Sequence, residues 1–353
     1  MKGFHVTTLS GVFAALWLGA LSAPAAAQAG KATTSLTLRG AGSTFASLLY
    51  KKWIDAYRSV STQVLITYDP VGSGEGIARF IAEDVDFAGS DLLMSEAEIA
   101  RVRRGVVMVP ATAGMIALAY NLPGVSTEIR LPRDVYPDIF AGIIKRWDDA
   151  RIAAANPGVT LPHFDISRVA RLDASGTTAV FTEHLATIKQ GWRDLGLGVG
   201  KLIQWPAGTM LASGSEAVAA CIKLSEGAIG YVEYGYPKRL GLASAALQNK
   251  AGKFVSPTAN SGQQALAAAT TPALNELAAS VIDPATPDAY PIVSYSWIAI
   301  NRKYPEPGKG AMLREFVDWG LSHGQGEGVG LGYVPLATGV IALGKQALGA
   351  AGL

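Results

Sequence analysis

The sequence predicts an α/β fold built on parallel strands, and three observations lead there. Short apolar runs break into Gly/Ser/Thr turns that open amphipathic helices, and this happens three times, at Gly40-Ala41-Gly42-Ser43-Thr44-Phe45, Val71-Gly72-Ser73-Gly74-Glu75-Gly76 and Asp173-Ala174-Ser175-Gly176-Thr177-Thr178. The second of these units runs on in the order strand, turn, helix, strand, which implies a parallel sheet with ligands at the carboxyl ends of its strands. The chain has 353 residues, more than one compact core usually holds, so two domains are expected.

The elements follow from spacing. Phe45, Leu48, Leu49, Trp53 and Ala56 keep helical periodicity and predict a helix through roughly Tyr57. Val64-Leu65-Ile66-Thr67-Tyr68, rich in β-branched and aromatic residues and closed by Asp69-Pro70, reads as a strand. Ile77, Phe80 and Ile81 mark the helix after the second turn. Val85-Asp86-Phe87-Ala88-Gly89 is a short buried strand that delivers Ser90 and Asp91 to its end. Met115-Ile116-Ala117-Leu118-Ala119-Tyr120 is another, closed by Asn121-Leu122-Pro123-Gly124. A second α/β region includes Val169-Ala170-Arg171, the third turn and a helix carrying Val180, Phe181, Leu185 and Ile188. Ala228-Ile229-Gly230-Tyr231-Val232 is a further strand, and Ala259 to Val281 is helical in pattern with an interruption at Thr271-Pro272. One long strand spans Pro291 to Ile300, Met312, Phe316 and Trp319 mark a helix, and the alternate glycines from Gly324 to Gly332 form a loop. No internal repeat of fixed period is present.

Residues 1–29 have the pattern of a cleaved export signal, with Lys2 as the only strong charge, an apolar stretch from Val12 to Leu21, and small residues up to Ala25-Ala26-Ala27. Cleavage is expected after Ala27 or Ala29, giving a soluble exported protein. No later run is long and charge-free enough to span a bilayer. The formal charge is +2, which argues against nucleic acid or anionic lipid as a partner. Cys221 is the single cysteine, so there is no intramolecular disulfide or Cys-based metal site, and it reads as a small buried hydrophobe.

A helix N-terminus presents unpaired N–H groups and the positive end of the macrodipole, and glycine lets a ligand approach that backbone. Each of the three turns is therefore a candidate anion cradle, in which Ser43, Thr44, Ser73, Ser175 and Thr177 add hydroxyl donors. Arg171, four residues before Ser175, carries a planar fork suited to an oxyanion; alone it would read as a strand-end ion pair with Asp173. Asp91 discriminates between anions. Phosphate near neutral pH keeps at least one proton and sulfate keeps none, so a carboxylate among many donors admits the first and penalises the second. The competing role for Asp91 is as cap of the helix suggested by Leu92-Leu93-Met94-Ser95-Glu96.

These motifs carry a resemblance. Gly40 to Phe45, Tyr68 to Gly76, Val85 to Asp91, Ile139 to Asp148, Arg171 to Thr178 and Gly227 to Tyr234, in this order and over nearly all the chain after the leader, are similar to the phosphate-binding proteins of bacterial ABC phosphate transporters. The resemblance implies the type II periplasmic binding architecture: two α/β domains, each a mainly parallel sheet flanked by helices, joined by two crossover strands with the ligand cleft between. The first domain would combine residues 30–115 and 290–353, and the second would span 116–289. Carried across by motif, the phosphate ligands would be Ser43, Thr44, Phe45, Ser73, Asp91, Arg171, Ser175, Gly176 and Thr177, with Asp173 holding Arg171. Two departures stand out: Ala174 where the family often has Gly, and Gly74-Glu75 where a second Ser followed by Gly is common, Glu75 adding a negative charge near the anion. The resemblance further implies a periplasmic monomer that captures inorganic phosphate by hinge closure and delivers it to the permease and ATPase subunits of an ABC transporter, with no cofactor, no metal and no enzymatic activity.

Rival readings weigh less. His163, His184 and His323 lie far apart without metal-ligand spacing, and His184 follows the spacing of Phe181 and Leu185 as a satisfied boundary residue. The glycine turns complete neither a nucleophile elbow nor a Walker loop nor a dinucleotide fingerprint. A secreted phosphatase-like protein, or a receptor for arsenate, sulfate or phosphonate, are the alternatives.

Overall fold

The computed structural model describes residues 36–268, 273, 274, 276, 277 and 281–351. The expected export signal and the Thr271-Pro272 interruption lie outside the described residues. Twelve strands are present among them: β1 (Leu36–Gly42), β2 (Val64–Asp69), β3 (Phe87–Ser90), β4 (Val106–Asn121), β5 (Arg130–Leu131), β6 (Ser167–Arg171), β7 (Met210–Ala212), β8 (Ala228–Glu233), β9 (Ala243–Ser244), β10 (Ala246–Gln248), β11 (Phe254–Val255) and β12 (Val293–Asn301). One sheet has the order β2-β1-β3-β12-β4-β8-β6-β7 with β9 beside β4, and β11-β10-β5 form a small second sheet.

The pairing is parallel on both flanks, β1 with β2 and β3, and β6 with β7 and β8. At the centre β12 runs antiparallel to β3 and β4, and β4 runs antiparallel to β8. The result is an α/β fold with a mixed sheet. β4 is much longer than the expected Met115–Tyr120 because it serves two partners. Val106–Met115 pairs with β12, and Ile116–Asn121 pairs with β8. Both β12 and the second half of β4 are almost wholly buried, which fits apolar runs rather than alternation.

Each flank brings a strand end and a helix start to the middle of the sheet. Gly40–Gly42 belong to β1 rather than to the turn, and the helix after them is Ser47–Tyr57. Close packing explains the glycines. A Cβ at Gly42, where φ is +133°, would lie 2.1 Å from the Gly89 carbonyl oxygen, and one at Gly76 would lie 2.3 Å from the Gly42 Cα. The helix Ser73–Ile81 starts directly after Gly72, and the helix Gly176–Ile188 after Ser175. The loop expected over Gly324–Gly332 is wound into 3₁₀ turns over Gly324–Leu331, where the Trp53 indole Nε1 donates to the Gly324 carbonyl at 2.7 Å. Cys221 is half-buried beside the apolar cluster under the helix Gly214–Leu224.

His184 lies deeper than a boundary residue. It is 1% exposed; Nε2 shares a 2.7 Å hydrogen bond with the Tyr136 hydroxyl, and Nδ1 has no partner. Burial pushes its pKa down to about 3, with Asp283 pulling it up and Arg133 pushing it down. Below pH 6.5 the unfolded chain therefore binds a proton that the folded chain refuses, so stability is full above that pH and is lost as pH falls toward 3. This amounts to on the order of 5 kcal/mol over the whole range. Urea midpoints measured from pH 7 to pH 5 should fall steeply in the native chain and less steeply in His184→Gln; parallel profiles would show that the buried imidazole is not the titrating group.

Candidate oxyanion site

The three turns converge. β1 ends at Gly42, and Ser43 N then donates to the Gly89 carbonyl at 2.8 Å, which fixes the first turn against the end of β3. The second turn is tied to the first by Gly72 N donating to the Gly42 carbonyl at 2.8 Å. The third turn comes from the opposite flank, at the end of β6, and its Gly176 packs so closely that a Cβ there would lie 2.5 Å from Ser73 Oγ and 2.9 Å from Asp91 Cβ. Only glycine fits at that position.

Asp91 sits where the flanks meet and is 3% exposed. Its Oδ1 accepts from the Ser43 hydroxyl and, at 3.0 Å, from Ser296; its Oδ2 accepts from Thr177 at 3.2 Å. Its backbone N–H donates to Ser73 Oγ at 3.2 Å. Burial raises its pKa, opposed by the hydroxyls of Ser43 and Ser296, by the positive charge of Arg171, and by Thr177. Asp91 does not cap the following helix. That helix is Glu96–Ala100, and Ser95 caps it in a reciprocal box with Glu98.

Arg171 is buried, and its side chain forms a two-point pair with Asp173, Nε to Oδ1 at 2.7 Å and Nη2 to Oδ2. Asp173 Oδ1 also accepts from Gly214 N at 2.9 Å. Burial raises the Asp173 carboxyl, but Arg171 and the Gly214 N–H outweigh it and hold the group below its usual range. The pair and the oxyanion role are thus compatible: Asp173 takes one edge of the guanidinium and orients the rest. The Tyr231 hydroxyl, bonded to Thr178 Oγ1 at 2.7 Å, accepts from Arg171 N at 3.1 Å and fixes the end of β6.

The remaining expected residues divide by what they offer. Ser175 caps its helix by accepting from Thr178 N at 3.1 Å, which leaves its O–H free to donate. Gly176 and Thr177 are the first residues of that helix, where N–H groups have no intrahelical acceptor. Phe45 contributes no side chain to the site, because its ring is fully buried edge-on to Tyr333. Its backbone N–H and that of Thr44 have no acceptor among the described residues. The Thr44 hydroxyl is engaged with Ser215, whose Oγ is 3.0 Å away and whose N–H donates at 3.2 Å. Sequence reasoning passed over Ser215 and Ser296. Ser296 shares its buried strand with a second serine, Ser294, so the sequence alone did not single it out.

Both departures in the turns have a physical account. Glu75 points outward and pairs with Arg79 at 2.8 Å. Gly74 and Ala174 touch: Gly74 N donates to the Ala174 carbonyl at 2.8 Å, and a Cβ at Gly74 would lie 2.4 Å from Ala174 Cβ. There is room for one side chain between these segments, and here position 174 takes it. A salt bridge of 2.8 Å between Lys201 and Glu98 crosses between the same two flanks, and Lys201 O accepts from Ser175 N at 2.9 Å.

A mixed α/β sheet whose strand ends and helix starts gather buried hydroxyls, free N–H groups, one guanidinium and one carboxylate defines a solute-binding protein of the type II periplasmic binding fold. The chain belongs to the PBP superfamily, whose domain model matches residues 27–323, and within it to the family of phosphate-binding proteins PstS. It is 35% identical over 310 residues to the phosphate-binding protein PstS of Pasteurella multocida, covering 88% of this chain and 89% of that one. It is 34% identical over 309 residues to the PstS of Haemophilus influenzae, with 86% and 90% covered. The fold matches a solved high-affinity periplasmic phosphate-binding protein, PfluDING, bound with phosphate, at a TM-score of 0.71 and 22% identity over 87% of this chain and 92% of that one.

The contact between positions 74 and 174 is testable. Gly74→Ser should weaken oxyanion binding about tenfold or more, in line with the roughly 1–3 kcal/mol that overpacking a close contact costs, and adding Ala174→Gly should restore most of the loss. Equal affinity in the single and double variants by titration calorimetry would show that the two positions do not compete for space.

Proposed function

We propose that this chain is the periplasmic receptor of a bacterial phosphate ABC transporter: it binds inorganic phosphate at the junction of the three turns and hands it to the permease and ATPase subunits. The observation that carries the choice of ligand is Asp91, a buried carboxylate inside a cradle that otherwise only donates. A hydrogen phosphate can give its O–H to this carboxylate while its other oxygens receive the N–H groups of Thr44, Phe45, Gly176 and Thr177, the hydroxyls of Ser43, Ser73, Ser175 and Thr177, and the guanidinium of Arg171. Sulfate has no proton to give, so one of its oxygens would face a like charge in a dry site.

Capture would occur by closure of two α/β domains, residues 30–115 with 290–353 and residues 116–289. The change of partner along β4, between Met115 and Ile116, supports that division. Hinge closure of this kind is the known switching mode of periplasmic binding proteins. The contacts that cross between the flanks, Gly74 to Ala174, Thr44 to Ser215 and Glu98 to Lys201, are the ones closure would form. Export through the cleaved leader would place the chain in the periplasm as a monomer. Among the described residues no helix is long and apolar enough to cross a membrane. Binding without turnover is the expected behaviour, and a phosphatase assay with and without divalent metal should stay at background.

Titration calorimetry on residues 30–353, refolded to strip carried ligand, should give tight binding of phosphate and arsenate and no heat with sulfate. Asp91→Asn should narrow the gap between phosphate and sulfate, because an amide can donate to a bare oxyanion. Arg171→Ala should weaken every oxyanion by about tenfold to a hundredfold, the range for a hydrogen bond to a charged group. Folded protein without phosphate binding would overturn the reading, and unchanged selectivity in Asp91→Asn would remove its mechanism.

A further inference from the structure

Asp91 can act as a proton acceptor only while it is ionised, yet it is buried, and burial favours the neutral acid. Three hydroxyls oppose that. Two of them, Ser43 and Thr177, belong to the turns that would hold the anion, and a bound phosphate would compete for their protons. The third, Ser296, belongs to none of the turns. It lies on β12, fully buried, and its Oγ donates to Asp91 Oδ1 at 3.0 Å.

Its position is set by the antiparallel register of β12 with β3, which runs without a shift from Ile300 and Phe87 to Trp297 and Ser90. β12 pairs with β4 regularly up to Ser296 and Thr112, then skips Ala111, so that Trp297 lies opposite Pro110. Trp297 is also the residue that pairs with Ser90, the last residue of β3. The same register continued by one residue puts Ser296 opposite Asp91 where the chain leaves β3, and this brings a hydroxyl of the central strand beneath the carboxylate. The neighbouring hydroxyl of Ser294 donates instead to its own strand, to the Tyr295 carbonyl at 2.9 Å, and reaches only the main-chain oxygen of Asp91 at 3.4 Å.

We propose that Ser296 is a positioning residue that anchors Asp91 Oδ1 from behind the cradle, keeps the group a carboxylate when ligand engages Ser43 and Thr177, and so sets the discrimination between protonated and unprotonated tetrahedral oxyanions. The inference rests on the phosphate reading above for its consequence, but its physical core concerns Asp91 alone. The titratable groups around Asp91 are Arg171 from β6, Tyr50 from the helix Ser47–Tyr57, Tyr68 from β2 and Glu233 from β8. Burial raises both tyrosines and Glu233, so Arg171 is the one cation among them. Without Ser296 the charge of Asp91 would depend on that cation and on hydroxyls shared with the ligand.

The test uses Ser296→Ala and Ser296→Cys, the second keeping most of the volume while replacing a strong donor by a weak one, with Ser294→Ala as control. The carboxyl carbon resonance of Asp91, assigned by its loss in Asp91→Asn, is followed against pH in the refolded, ligand-free protein. Its midpoint should rise in both Ser296 variants and stay in place in the control. Calorimetry should then show phosphate weakened about tenfold or more and sulfate not weakened. An unmoved midpoint, or phosphate affinity unchanged in both Ser296 variants, would overturn the proposal. A native chain that binds no phosphate would overturn the functional reading instead, and the resonance would still decide whether Ser296 holds the charge of Asp91.

Discussion

The constraint on which the site depends is a single negative charge in a dry place. A carboxylate cut off from water must be repaid by donors or it takes up a proton. Around Asp91 the donors come from β12, from the start of one flank and from the helix start of the other, so no single element could keep it ionised. That requirement accounts for much of the local architecture. It fits a serine on the central strand in register with Asp91, a glycine helix start pressed against Ser73, and a guanidinium that is itself held by a second carboxylate. Hydrogen bonds to charged groups contribute about 1.5–3 kcal/mol each. Three of them, with the charge of Arg171, oppose the desolvation of this carboxylate without cancelling it, and its pKa stays above the usual range.

Close approach is the second condition, and it is met by omission of side chains. Gly42, Gly72, Gly76 and Gly176 lie where a Cβ would overlap backbone, Asp173 or Ser73. With them the turns stack within hydrogen-bond reach, so the backbone itself can serve as ligand. The contact between Gly74 and Ala174 shows the same economy across the junction. Two positions that look like independent departures in the sequence face one shared gap, which the Ala174 methyl group fills and Gly74 leaves open. Glu75 adds no charge to the site because Arg79, one helical turn on, takes it outward, and Arg79 also reaches Asp69 at 2.7 Å.

The flanks of the sheet were legible in the sequence because they follow local rules. A β-branched and aromatic run placed β2, short apolar runs leading to polar turns placed β3 and β6, and the third turn marked the helix after Ser175. What the residues hid was non-local. The length of β4 depends on two partners that arrive more than a hundred residues later, so the sequence marks only Met115 to Tyr120 as a strand. Gly40 to Gly42 read as a turn by composition, yet β1 continues through them because β2 and β3 pair with them on either side. Whether Asp91 caps the following helix could be settled only by geometry. Ser95 takes the cap, four residues further on. Ser296 was unreadable for a related reason: a serine in a buried strand is ordinary until the register of that strand places it under a carboxylate.

Charge balance at the junction follows from the same geometry. Arg171 and Asp173 largely cancel as a buried pair, so the cradle holds no surplus of positive charge with which to attract anions indiscriminately. An oxyanion entering it must be matched oxygen by oxygen, with N–H and O–H groups that each point to one position and one acceptor that points to another. A site built this way gives up the long-range pull of a cluster of lysines, consistent with a chain whose formal charge is only +2. On the phosphate reading proposed above, it gains in exchange a penalty against any anion that brings the wrong number of protons. That penalty does not weaken with salt as a surface attraction would, because both the acceptor and the donors that keep it charged lie beneath the surface.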